Sequence, residues 1–348
     1  MNRPVLRKGN TGLLFKVIRL ISEHPIAAGG WAILFLTLPS LITMLMPASQ
    51  VSGLLMLLVL PLQALAPLPI FLVSLRRGLK EGVFATLLLV AGSILLSQEI
   101  KFPLLVLLLI ATYPLLAAWM LHKGWNFSQS AVAGFLLGLL ILSLLLLMST
   151  YAPLDMEKSL LASFNAMRDR LVVMAQNQGA GAAAIHEHQR SLEQLFNILV
   201  FLFPSLLVSG WFLLQLINLV ITRHLFAKWF GYPLPEENFA RFRVPFFMVW
   251  PVIAFGLIMM LLNGPWYRFS ANMCMFLAIP YFFQGLAVIQ AMFQHLKVPV
   301  FWQNVFYVFI FWSSKTALVI IVLGFFDTWL NVRIRLEKTG EGGTPSGR

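Results

Sequence analysis

Lys315 is the residue of this chain whose type and place could do the most chemistry. It stands near the middle of an apolar run from Asn304 to Phe326, about 11 residues or roughly 16 Å from either end at the α-helical rise. An ammonium group at mid-bilayer costs roughly 2.5–3.5 kcal/mol on insertion scales, and snorkelling over that distance is difficult for one lysine stem. Every carboxylate lies outside the interiors of the apolar runs; Glu99 and Asp327 stand only at their ends. The partners open to Lys315 are a backbone carbonyl, an uncharged side chain, water or an anionic ligand. At helical spacing Asn304, Phe311 and Lys315 share one face, with Tyr307 close by. Three readings stay open: contact with an anion or other substrate, a structural hydrogen bond in a helix bundle, or an interfacial position through a shifted span. Gln215 and Asn218 in one apolar run, and Gln284 and Gln290 in another, are further polar groups in greasy surroundings. In lipid such groups act more often as glue between helices than as ligand sites. The substrate-binding set expected from these patterns is Lys315, Asn304, Tyr307 and Gln284.

Other chemistry is poorly represented. His186-Glu187-His188 imitates a metal-binding fragment, but residues two apart on a helix point to different sides and no third ligand is evident. Cys274 is the single cysteine and reads as a small buried hydrophobe. No P-loop, no Gly-x-Ser-x-Gly and no paired intramembrane carboxylates occur, so neither an enzyme nor a proton pump with an acidic relay is expected. No cofactor and no metal is implied.

The elements that must position these groups are apolar helices. Of the 348 residues, 59% are hydrophobic and 11% charged, with a mean hydropathy of +0.84. Nine runs have the length an α-helix needs to cross a bilayer: 26–46, 51–73, 79–97, 102–121, 129–150, 196–221, 245–262, 272–293 and 304–326. The expected fold is therefore all-α: a polytopic bundle of eight or nine spans. The formal charge of +12 comes mostly from residues flanking these runs, where they act as topology signals and lipid contacts rather than a nucleic-acid surface. With the N-terminus in the cytoplasm, the inner loops hold Arg76, Arg77, Lys80, Lys123, Arg223, Lys228, Arg241, Arg243 and Lys297, against Lys101 and Arg268 outside. Nine crossings would put Arg333, Arg335 and Lys338 on the wrong side. Either the proline-rich second run is re-entrant, or Phe301–Trp312 lies along the interface.

Residues 1–25 read as a basic N-terminus whose segment from Thr11 to His24 is a short surface helix, with Pro25 opening the first span. A first membrane bundle follows over 26–150, and residues 196–335 form a second set of membrane helices. Between them, 151–195 read as an extracytoplasmic helical hairpin divided at Gly179-Ala180-Gly181, its second arm running into the sixth span. Residues 336–348 read as a disordered tail. Ala28-x-x-x-Ala32 and Gly134-x-x-x-Gly138 permit close helix approach.

Several ordered segments carry a resemblance. Ala66-Pro67-Leu68-Pro69-Ile70, Leu75-Arg76-Arg77-Gly78, Phe203-Pro204 through Trp211 to Asn218, Tyr281-Phe282-Phe283-Gln284-Gly285-Leu286-Ala287, and Gly324-Phe325-Phe326-Asp327-Thr328-Trp329 with Arg333 and Arg335 resemble the YybS-like family of bacterial membrane proteins. That resemblance implies the bacterial cytoplasmic (inner) membrane and brings no catalytic residues. At the level of fold the chain is also similar to the substrate-binding S components of energy-coupling-factor transporters. There a proline-rich second helix leads to a glycine-bounded inner turn, as over Pro67–Gly82, and an alanine pair such as Ala28 and Ala32 docks a partner. The likeness implies a transport-related subunit that binds a small solute of unidentified kind, with partner docking at Arg76, Arg77, Ala28 and Ala32. The alternative is a membrane scaffold that meets membrane or cytoplasmic proteins through its outer hairpin.

Overall fold

The apolar runs become helices, and prolines, glycines and one serine decide where those helices break. The computed structural model describes residues 12–45, 61–97, 106–151, 155–177, 182–230 and 239–333. The α-helices are Leu13–Glu23 (α1), Pro25–Leu45 (α2), Leu68–Arg77 (α3), Leu79–Ser97 (α4), Thr112–His122 (α5), Phe127–Tyr151 (α6), Asp155–Asn177 (α7), Ala182–Trp229 (α8), Val249–Leu261 (α9), Pro265–His295 (α10), Val300–Trp312 (α11) and Ser314–Leu330 (α12). No strand occurs among the described residues.

Four helices are long and apolar enough to cross a membrane, over Leu79–Leu96, Phe127–Ser149, Gln189–Trp229 and Pro265–His295; the number is six if each of two bent pairs counts as one span. The runs expected at 51–73 and 102–121 begin outside the described residues. The first of them breaks at Leu65–Pro67 before α3, where the Pro67 ring and missing N–H end the preceding turn. The run 304–326 is not one helix. Ser313 leaves helical geometry at φ −120°, ψ 105°, its hydroxyl accepts from the Thr316 N–H, and α12 departs from α11 at 108°. Pro25 opens α2 as expected, and α1 lies at 113° to it. Residues 1–11, the Gly179–Gly181 divider, Glu99, Lys101, Arg335, Lys338 and the tail lie outside the described residues.

The chain forms two compact units, Met1–Gly138 with Gly210–Pro235, and Leu139–Ser209 with Glu236–Arg348. In the first, small residues set the spacing. Ala28 and Ala32 of α2 are fully buried, the former with Leu72, Val73 and Ala85, the latter with Ile70 and Leu89. A Cβ on Gly29 would come within 2.8 Å of Leu88, and one on Gly92 within 2.5 Å of Ile33, so α2 and α4 approach along an Ala/Gly seam. Gly134 likewise makes room for the Tyr113 ring. At the start of α1's neighbourhood the polar side takes over: Arg76 donates to Ser22 Oγ at 2.8 Å and Glu23 Oε1 at 2.6 Å and stacks over Phe230 at 4.3 Å.

In the second unit α10 and α12 touch backbone to backbone. A Cβ on Gly324 would lie 1.9 Å from the Tyr281 carbonyl oxygen, and one on Gly285 2.1 Å from that of Ile320. Asn272 of α10 performs a repair on α8. Its Oδ1 accepts from the Ser205 N–H at 3.0 Å and its Nδ2 donates to the Phe201 carbonyl at 3.0 Å. One side-chain amide thus stands in the helical ladder between residues 201 and 205, beside Pro204, which has no N–H to give. The helix α7 runs beside the first turns of α8, with Phe164 stacked on Phe196 at 4.7 Å and Arg168 paired with Glu193 at 2.9 Å.

Candidate functional site

Two polar clusters stand out, one in each unit. In the first, the helix breaks come before the side chains that answer them. Residues Leu107–Ala111 form a π-turn ahead of α5. In π register the Leu109 carbonyl looks five residues on, to Pro114, which carries no N–H. That oxygen instead accepts from the indole N–H of Trp211 and from Gln215 Nε2, the latter at 2.6 Å. At the Leu65–Pro67 break the Leu68 N–H bonds to Leu65, which releases the Ala64 carbonyl. Asn218 Nδ2 takes it at 2.8 Å, and reaches Leu214 O at 2.8 Å as well. Trp211, Gln215 and Asn218 follow one another at spacings of four and three, so they share one face of α8. Gln215 and Asn218 are each 1% exposed. Their donors are used, but Gln215 Oε1 and Asn218 Oδ1 are buried with no hydrogen-bond partner among the described residues.

The second cluster joins two motifs far apart in sequence, Tyr281–Ala287 and Gly324–Arg333. Asn331 adopts the left-handed conformation (φ 47°, ψ 47°) and turns the chain back after α12. Arg333 then returns over Asp327, and its Nη2 donates to Asp327 Oδ2 at 2.8 Å. Its Nη1 donates to the carbonyls of Ala240 at 2.9 Å and Phe242 at 2.6 Å. Asp327 Oδ1 accepts the Val332 N–H, and Oδ2 also receives Gln284 Nε2 at 3.2 Å. Gln284 Oε1 accepts from the Val244 N–H at 2.9 Å. The pair is buried, Asp327 2% and Arg333 6% exposed. Among the described residues this network is bonded almost throughout and leaves little open for a ligand. It is a clasp on the 240–244 segment.

The residues expected to bind substrate do not come together. Gln284 belongs to the Asp327 clasp. Tyr307 donates to Gln290 Oε1, and Gln290 and Gln303 bond each other at 3.4 Å. Asn304 is exposed on α11. Lys315 is exposed in the first turn of α12, with no hydrogen bond or ion pair among the described residues. The common face of Asn304, Phe311 and Lys315 is lost because the axis turns at Ser313. Among the docking residues, Arg76 is committed to Ser22 and Glu23, and burial pushes its guanidinium below the usual value while Glu23 works the other way. Arg77 is exposed and donates to the Glu23 carbonyl at 3.0 Å. Ala28 and Ala32 stand in the interior seam.

The sequence reads Gln215, Asn218, Gln284 and Gln290 as more often interhelical glue than ligand sites, with Gln284 kept in the substrate set. In the structure Gln215, Asn218 and Gln284 bond to other segments of the chain, and Gln290 bonds Gln303 and Tyr307. Sequence reasoning missed Asn272, Trp211 and the Asp327–Arg333 pair. The six-residue spacing of that pair is meaningless on a straight helix and becomes contact only through the turn at Asn331.

The sequence profile of DUF2232, described as a predicted membrane protein family, matches residues 40–328. The chain belongs to that family. No curated protein and no solved structure matches it. With several helices long and apolar enough to cross a bilayer, it is a membrane protein. The profile ends at Thr328, so it takes in Gln215, Asn218, Gln284 and Asp327 and stops short of Arg333.

Proposed function

We propose that this protein is a non-catalytic, transport-related subunit of the bacterial cytoplasmic membrane that holds a small solute in its first unit. The observation that carries the reading is the Gln215–Asn218 seam, where two buried amides answer carbonyls released by helix breaks and each keeps an unused acceptor. Discontinuous helices with freed backbone groups are where transporters seat substrates and coupling ions, and irregular backbone at membrane depth is tolerated where it lines such a place. The YybS-like resemblance and the likeness to S components support the same reading, since α3 ends at Gly78 (φ 112°) and turns at once into α4. Partner contact falls on Arg77, because Arg76, Ala28 and Ala32 are used internally.

On this reading the N-terminus is cytoplasmic, α1 lies on the inner surface, and α11 lies near the plane of the membrane when α12 crosses it. Lys315 then stands at the elbow between them rather than at mid-bilayer. The test is a thermal-shift screen of the purified full chain in lipid nanodiscs against vitamins and organic anions. At least one solute should raise the unfolding midpoint, and Asn218→Leu should remove that response. If no solute in those classes moves the wild-type midpoint, the solute-binding reading is wrong.

A scaffold role is the second reading, favoured by the apolar side chains that α7 leaves exposed, among them Leu161, Met167, Val173 and Met174. Deleting 155–181 should then abolish crosslinking to a partner protein and leave any solute response intact.

A further inference from the structure

We infer that Gln215 Oε1 and Asn218 Oδ1 are ligands for a monovalent cation. The inference rests on the transport reading only for the role of that cation as a coupling ion; its binding stands or falls separately. The orientation of both amides is settled by their neighbours. Gln215 must turn its NH2 toward the Leu109 carbonyl, and Asn218 must turn its own toward the carbonyls of Ala64 and Leu214, since the reverse would set oxygen against oxygen. The two amide oxygens are therefore aimed elsewhere. They lie one turn apart on α8, inside side chains that are 1% exposed, and no donor reaches either of them among the described residues.

The donors nearby are already committed. The Trp211 indole is on Leu109 O, the Thr222 hydroxyl is on Asn218 O at 2.7 Å, and the Tyr113 hydroxyl is on Ser130 O at 3.1 Å. No donor among the described residues completes the place, and what completes it must suit acceptors. An anion would face oxygen lone pairs. A divalent ion needs carboxylates, and the described carboxylates of this unit are Glu23 and Glu81, of which Glu23 is bonded to Arg76. Neutral amide and carbonyl oxygens at a helix break are the donor set with which membrane proteins hold monovalent cations. The Ala64 carbonyl, which among the described residues accepts from Asn218 at its break, keeps a second lone pair for the same ion.

The test uses the full chain in nanodiscs, with unfolding midpoints recorded in sodium, potassium, lithium or ammonium chloride, each balanced with choline chloride to constant ionic strength. A saturable rise of about 2–4 °C with at least one of the small cations, absent with choline, is the expected result. Gln215→Lys, which places its own ammonium among these oxygens, should lose that response, its midpoint being the same in the small cations as in choline. Should that variant misfold, Gln215→Met, which keeps the bulk and removes the acceptor, should weaken the response at least tenfold in concentration. Midpoints that superpose in all salts, or rise equally in choline, would mean that water fills the place and overturn the inference. So would an undiminished response in a folded Gln215 variant. A solute response that persists without any small cation would overturn the coupling ion and leave the transport reading standing.

Discussion

Replacing Asp327 by Asn removes one charge from the clasp and almost no volume. The carboxylate holds Arg333 Nη2 at 2.8 Å and the Val332 N–H at 3.0 Å, and neither side chain of the pair is more than 6% exposed. An amide can keep the bond to Val332, but it leaves a buried guanidinium with two carbonyls and no counter-charge. Breaking a buried pair from one side costs about 3–5 kcal/mol, and the bonds to Ala240 and Phe242 place the expected loss near the lower end, about 3 kcal/mol. At about 2–4 °C per kcal/mol the unfolding midpoint in nanodiscs should fall by roughly 6–12 °C. Arg333→Gln should also destabilise, and the double variant should cost at least about 1 kcal/mol less than the sum of the singles, because the orphaned charge is gone. The measurement is a full cycle of the four proteins under one set of conditions. If the two single effects add within about 0.5 kcal/mol, the groups are not coupled and the clasp is misread.

Three further outcomes follow from the same packing. Gly324→Ala sets a methyl group 1.9 Å from the Tyr281 carbonyl oxygen, so α10 and α12 must part by more than an ångström; a loss of about 3 kcal/mol or more is expected in thermal unfolding, whereas Gly256→Ala, in open space, should be neutral. Asn272→Leu removes both bonds its amide makes to α8, at about 1–3 kcal/mol, less whatever the Ser205 N–H and the Phe201 carbonyl recover by bonding each other, and amide exchange around residue 205 should quicken. Arg76→Met should release α1, so that protease cleaves after Lys16 or Arg19 faster than in the wild type; equal cleavage rates would show that Ser22 and Glu23 do not hold α1 through Arg76.

Much of this architecture was legible in the residues. Pro25 opens α2, Ala28 and Ala32 mark a close approach, and the polar insert is helical on both sides of its glycine divider. Gln215, Asn218 and Gln284 could be named as groups in need of partners because a polar side chain in an apolar run always raises that question. Which carbonyls they meet could not be read, since that depends on where other helices break. Lys315 was less legible. The sequence leaves three readings open for it, one of them interfacial. The break at Ser313, where the hydroxyl accepts from the Thr316 N–H, places it in the first turn of α12 rather than at the middle of one continuous helix. The Asp327–Arg333 pair was hidden for the reason that exposes it now: a left-handed residue at 331 joins groups that sequence spacing keeps apart.

Asn272 gives α8 a conditional continuity. At Pro204 the helix is completed by a group that belongs to another helix, so its stiffness there is borrowed. Were α10 to slide by the length of one hydrogen bond, the loan would lapse, and residues 201–205 would become a joint. A proline that looks like a flaw in an otherwise unbroken rod is then a latch point, and what opens it is the seating of its neighbour.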